Sequence, residues 1–258
     1  MELTKLFKLM NKKKIIFISG LHRSGTSLLY KILKQNNNIS GLSNTNEIED
    51  EGQHVQNIYK PAYEFGGVGR FGFDPSAKLD ENSNLVTEEN RIKLFKQWSR
   101  YWDNEKEFLL EKSPPNIIRT KFLQAMFPNS YFINLTRHPI ATSLASKKWS
   151  KTSLKDLIKH WLLCHETFNN DSIKLKNVLN IKYEELIDNQ EHVLNSISKF
   201  LDTKIMPSDI PIKKGINDKY FKIWQKQSKN IFERHKIKKI IDLYNSEVEK
   251  YDYSLINF

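Results

Sequence analysis

Two periods of apolar residues alternate along the chain. The stretch KKIIFIS (residues 13–19) is short, β-branched and continuously apolar after its lysines, as a strand buried on both faces of a parallel sheet would be. It stops at Gly20. TSLLYKILKQ (26–35) then carries Leu28, Leu29, Ile32 and Leu33 at helical spacing, so the order is strand, glycine loop, helix. EFLLEK (107–112) predicts a second strand, ended by Pro114 and Pro115, and SYFINLTR (130–137) and NVLNIKYEEL (177–186) predict two more. Helical spacing marks TEENRIKLFKQWSRYW (87–102), NIIRTKFLQAMF (116–127), PIATSLASKKW (139–149), with its proline in the first turn, and LKDLIKHWLLCHETF (154–168). Strands alternating with helices predict an α/β fold: a three-layer sandwich with a central parallel sheet flanked by helices.

Residues 36 to 90 break this rhythm. Their Asn, Gly and acidic clusters have little periodicity, and we read them as a long insertion facing a substrate. The stretch from Lys213 to Lys239 holds ten basic residues against Asp218 and Glu233. No repeat or linker divides the 258 residues, so one domain is expected.

Composition adds an anionic partner. Forty-one Lys and Arg against thirty Asp and Glu give +11, which suits a nucleic acid, a membrane surface or a polyanionic small molecule. The single cysteine, Cys164, allows no internal disulfide and reads as a small core residue on a helix. The first residues lack the apolar run of a secretory signal, and no stretch approaches a membrane span. A cytoplasmic protein is the expectation.

The chemistry concentrates in FISGLHRSGTSLL. Gly20 and Gly25 have the spacing of G-x-x-x-x-G-K-[ST], but Thr26 stands where that motif has its lysine. A glycine loop between strand and helix still aims backbone N–H groups at an anion. Thr26 and Ser27 add hydroxyl donors, and Arg23 brings a planar fork of donors inside the loop.

HRSGTSLL, EKSPPN, LTRHPIATSLASKKW and IKYEEL, in that order, resemble the sulfotransferase superfamily, with the bacterial and tyrosylprotein-sulfotransferase-like branch as the nearest pattern. The resemblance runs from Lys14 to about Leu186 and more loosely into the tail. It implies a P-loop-like fold and 3′-phosphoadenosine 5′-phosphosulfate (PAPS) as co-substrate. That donor has no γ-phosphate, so neither the missing lysine nor a metal is required. By the same resemblance Arg23, Ser24, Gly25, Thr26 and Ser27 hold the 5′-phosphosulfate and Arg137 the 3′-phosphate. A helical serine usually shares the latter, and here Ser146 is favoured over Ser143, because Ala145 occupies the expected place. Tyr183 matches a position near the adenine, although a core aromatic would fit the same pattern. Lys112 matches a lysine at the bridging oxygen, where charge grows in the transition state.

For the acceptor's proton, NEIEDEGQHVQ offers Glu51, matched to the tyrosylprotein branch, and His54, matched to the histidine base of cytosolic enzymes. In the tail, NDKYFKIW places Lys219, Lys222 and Trp224 in a segment like the family's donor-covering loop. The implied layout is a donor core at about 14–35 and 107–190, an acceptor-side insertion at about 36–90 and a basic lid at about 210–258. Glycan, lipid-linked sugar, small alcohol and protein tyrosine all remain open as acceptors. Two rivals need different features. A P-loop kinase or NTPase needs a lysine after Gly25 and an acidic metal ligand at a strand end, whereas SYFINLTR ends in Arg137. A basic nucleic-acid-binding module would explain +11 and the lysine-rich tail but not the loop. Nucleic acid is not the expected partner.

Overall fold

The computed structural model describes residues 3–258. In chain order the elements begin with α1 (Leu3–Lys12), β1 (Lys14–Ser19), α2 (Thr26–Lys34), β2 (Ile39–Gly41), α3 (Glu88–Trp98) and β3 (Phe108–Lys112). There follow α4 (Thr120–Met126), β4 (Ser130–Thr136), α5 (Pro139–Ser146), α6 (Leu154–Ser172) and β5 (Val178–Lys182). Four helices complete the chain: α7 (Tyr183–Asp188), α8 (Gln190–Leu201), α9 (Asp218–Lys229) and α10 (Arg234–Glu249).

The five strands form one sheet in the order β2-β3-β1-β4-β5, and every neighbouring pair is parallel. Side chains alternate between its faces. Ile16, Ile18, Leu110, Ile133 and Leu135 pack with α2 and α8 on one side, while Ile15, Phe17, Leu109 and Phe132 pack with α1, α3 and α4 on the other. The expected three-layer α/β sandwich is therefore present. A third apolar cluster joins α5 and α6 to α9 and α10 through Ile140, Trp161, Trp224, Ile237 and Val248. None of the described helices is long and apolar enough to cross a membrane.

The order of the strands positions the site. β1 lies between β3 and β4, and the chain leaves it in one direction through β2 and β3 and in the other through β4 and β5. In open α/β sheets the crevice outside the carboxyl ends of the strands at such a switch point receives ligands. In register, Ile18 of β1 faces Lys112, and Thr136 of β4 faces Lys182. The β1 loop, Lys112, Arg137 and Tyr183 thus leave four adjacent strands along one edge of the sheet.

Several elements depart from the sequence pattern. The irregular stretch from 36 to 90 contains edge strand β2, only three residues long and too short to show a period of two. Short 3-10 turns punctuate the rest between Ile48 and Ala77. The predicted helix 116–127 is instead a 3-10 turn, Pro114–Ile118, followed by α4. α5 stops at Ser146, three residues early, which leaves Trp149 exposed. α1, for which no element is expected from the sequence, buries Leu6 and Met10 beside α3.

Candidate active site

The anion loop is shaped by two glycines that no other residue could replace without displacement. Gly20 has φ +147°, and a Cβ there would lie 2.5 Å from the Leu135 carbonyl oxygen. Gly25 has φ +100°, and its Cβ would lie 2.4 Å from the ring of Tyr183. Between them Arg23 also takes a positive φ, 69°, with its side chain exposed. The Ser24 hydroxyl donates to the Leu21 carbonyl at 2.6 Å and so ties the loop to itself. No side chain caps α2 at Gly25, so the N–H groups of Thr26 and Ser27 are left open, while those of Leu28 and Leu29 donate to the Gly25 carbonyl at 3.0 and 3.1 Å. Thr26 is buried and Ser27 half-buried.

Arg137, just past β4, closes the loop from the other side. Its Nη1 donates to the Arg23 carbonyl at 2.7 Å, and its Nε and Nη2 donate to Asn217 Oδ1 at 2.9 and 2.7 Å. A guanidinium has five N–H donors, so two are left for a ligand. The guanidinium lies 4.2 Å from the centroid of the Tyr183 ring, which is itself packed against Gly25. Asn217 Nδ2 in turn donates to Glu184 Oε1 at 2.7 Å, and Tyr253 donates to the same carboxylate. Arg23, Gly25, Arg137 and Tyr183 are therefore gathered together, with Asn217 and Glu184 as supports absent from the sequence reading. Ser143 and Ser146 are both buried on α5, and the Ser143 hydroxyl has no hydrogen-bond partner. Lys219 is not gathered in. Its side chain is exposed and its ammonium sits 4.8 Å from the Tyr220 ring centroid.

The segment around 210–258 is a packed part of the molecule as well as a basic one. Tyr220, Trp224, Ile237, Ile240, Val248 and Leu255 are all buried. Trp224 Nε1 donates to the Leu255 carbonyl at 3.1 Å.

On the β3 side stands a second assembly. Lys112 Nζ and Glu51 Oε1 are 2.9 Å apart, and only 1% and 10% of the two side chains is exposed. Glu51 lies between two 3-10 turns, Ile48–Asp50 and Gly52–His54. The approach to it passes through left-handed backbone at Asn44, Asn46, Glu49 and Asp50. Gln53 Nε2 donates to Glu51 Oε2 at 2.5 Å, while His54 Nε2 is 3.7 Å from that oxygen, and its ring stacks on Tyr63.

What holds Glu51 in place is a residue the sequence reading passed over. The Glu111 carboxylate accepts from Gly52 N at 3.0 Å, the Ser113 hydroxyl at 2.5 Å and Asn116 Nδ2 at 2.6 Å. The Ser113 oxygen accepts from Gln53 N at 3.1 Å. A Cβ at position 52 would meet Glu111 Cγ at 2.6 Å, so glycine permits the close approach. Burial pushes the Glu111 carboxyl up to about 7, against the three donors that favour its charge. The only sequence signal was an acid directly before Lys112. His22, inside the anion loop, was also missed. Burial lowers it to about 4, with Glu51 opposing and Lys112, His54 and Arg23 adding to the shift, and its ring centroid lies 5.8 Å from that of Phe71.

A glycine loop at the switch point of a parallel sheet, with a buried Lys–Glu pair nearby, has the layout in which α/β folds receive a ligand. The chain belongs to the sulfotransferase family, whose model matches residues 16–207. By that family it is a sulfotransferase, an enzyme of sulfuryl transfer. Among solved structures, it is similar to the sulfotransferase domain of the Synechococcus PCC 7002 olefin synthase, at 18% identity over 82% of this chain and 88% of that one, with a TM-score of 0.51. The sulfotransferase STF1 from Mycobacterium tuberculosis H37Rv matches at 12% identity over 84% and 73% of the two chains, with a TM-score of 0.50. STF9 from Mycobacterium avium matches at 11% identity over 88% and 72%, also with a TM-score of 0.50. These likenesses concern the fold. A comparison with curated protein sequences gives no significant match.

Proposed function

We propose that the donor's 5′-phosphosulfate lies in the Gly20–Ser27 loop, its 3′-phosphate at Arg137, and the acceptor hydroxyl at Glu51. Backbone N–H groups at the start of α2, Arg23 and the hydroxyls of Thr26 and Ser27 take the first group. The two free donors of Arg137 take the second, and the unpartnered Ser143 hydroxyl supports that residue, beside Ser146, as a helper. In transfer, the S–O bond to the donor phosphate breaks as the acceptor oxygen bonds to sulfur. Lys112 stabilises charge on the departing bridging oxygen, and Glu51 takes the acceptor's proton. Charge-assisted bonds from Lys112, Arg23 and Arg137 supply the cationic field, so this reading requires no metal.

The observation that carries the reading is the buried 2.9 Å contact of Lys112 with Glu51 beside the anion loop. Each group neutralises the other at rest. An incoming phosphosulfate offers Lys112 a second anionic partner, which loosens its hold on Glu51 and leaves that carboxylate to accept a proton. The exposed Tyr63 ring stacked on His54 supports a ring-bearing hydroxyl compound as acceptor. A reducing cytoplasm belongs to the same reading, because Cys164 is buried and unpaired. The test is a screen with labelled PAPS against sugars, small alcohols and phenols, alongside binding of adenosine 3′,5′-bisphosphate. Failure to bind the bisphosphate, with magnesium-dependent hydrolysis of ATP, would sink the proposal.

A further inference from the structure

The turn between α9 and α10 has a character that donor binding does not use. Residues 229 to 236 form an unbroken exposed run. At its tip Ile231 and Phe232 are neighbours with 74% and 86% of their surface in water. Apolar side chains scattered singly over a surface are ordinary, but two adjacent and almost fully exposed ones on a projecting turn are not. The helices behind the tip are firmly seated, α9 by Tyr220 and Trp224 and α10 by Ile237, Ile240 and Val248. The tip is therefore anchored on both sides by helices packed into the body of the protein.

Charge surrounds it. Between Lys222 and Lys239 there are seven Lys or Arg residues and one acid, Glu233. Lys226, Lys229, Arg234 and Lys236 are all exposed. α9 begins beside the donor site, where Asn217 binds Arg137. Its twelve residues carry the tip about 18 Å from that end, so the tip takes no part in gripping the donor.

We propose that this turn docks the enzyme on an anionic lipid bilayer, with Ile231 and Phe232 entering the boundary between headgroups and acyl chains. Lys226, Lys229, Arg234 and Lys236 then lie at the phosphate level, where each basic side chain adds attraction to an anionic leaflet. Nucleic acid accounts for the lysines but not for the tip. A base can stack on Phe232 but gains nothing from an aliphatic Ile231 that has no groove to enter. The association is peripheral and independent of how sulfuryl transfer is assigned.

The experiment is co-sedimentation of the full chain with vesicles of phosphatidylcholine alone, or of phosphatidylcholine and phosphatidylglycerol in equal parts, across a salt series. Binding is expected only to the mixed vesicles and should weaken as salt rises. The double variant Ile231→Ser/Phe232→Ser should lower partitioning roughly tenfold or more, because two buried apolar side chains are lost. Lys229→Glu/Lys236→Glu should reduce both the binding and its salt dependence. All four positions are exposed, and thermal melts by circular dichroism check that each variant folds. A tryptophan at the tip, Phe232→Trp, should be quenched by brominated lipid. No binding to the mixed vesicles, serine-variant binding equal to wild type, or an unquenched Phe232→Trp would overturn the proposal. So would duplex-DNA binding that the serine variant loses while its vesicle binding persists.

Discussion

The loop at residues 20–27 and the turn at 48–54 both bring a glycine-bearing segment to the same edge of the sheet, but they are built differently. The loop is made chiefly of backbone: open helix N–H groups, two glycines at positive φ and one serine bonded to its own segment. The turn is made of side chains that satisfy one another across the chain, Glu51 with Lys112 from 61 residues away and Gly52 N–H with Glu111 from 59. A backbone cradle tolerates any anion of the right size. A closed side-chain network commits particular groups to particular atoms, so the two regions should fail differently when altered.

The largest difference is expected at the proton acceptor. Glu51→Gln, nearly the same shape, should leave bisphosphate affinity intact and lower kcat by about 10²–10⁴-fold. His54→Ala in parallel should cost far less; the reverse result would make His54 the base. Next, Lys112→Ala should reduce kcat by about 10²–10³-fold. It should also lower the melting temperature, since Glu51 is left buried without its cation, a loss of about 3 kcal/mol. In contrast, Arg23→Ala in the exposed part of the loop should weaken donor binding with little change in melting.

Arg137→Ala sharpens the comparison on the donor side. It should weaken adenosine 3′,5′-bisphosphate by roughly tenfold to a hundredfold, the range for charge-assisted bonds, and the 5′-monophosphate much less. Equal losses for both nucleotides would remove Arg137 from the 3′-phosphate. The smallest expected effect is on pH. The Glu111 carboxyl is raised from 4.5 to about 7 in the fold, so its protonated form is the one the fold favours. Its contribution to stability is full below about pH 4.5 and is lost as pH rises through about 7. Melting curves of wild type and Glu111→Gln, subtracted across that range, should show the wild type losing ground as pH rises; a flat difference would mean that Glu111 titrates as an ordinary carboxyl.

Local patterns carried much of this molecule. Four of the five strands, the anion loop and the helices after them follow from short runs of residues, because strand burial and helical spacing are properties of neighbours in sequence. Lys112 and Arg137 stand at the ends of such runs, where the topology of a parallel sheet makes side chains converge, and Arg23 lies in the loop after another. β2 is illegible locally because three residues carry no period, whereas the apolar residues of α1 do recur at helical spacing. In the tail, NDKYFKIW marks Lys219 by its charge, whereas the neutral Asn217 is the residue that reaches Arg137.

What the sequence determined alone was an α/β sheet with a glycine loop suited to an anion and lacking the lysine of an ATPase. Only the tertiary structure decided that Glu51 meets Lys112, that Glu111 fastens the turn between them, and that Asn217 reaches across 80 residues to orient Arg137. Strands and loops are written in contacts between residues a few positions apart. These pairings instead depend on the order in which the strands lie side by side, and no local window of the chain contains that order.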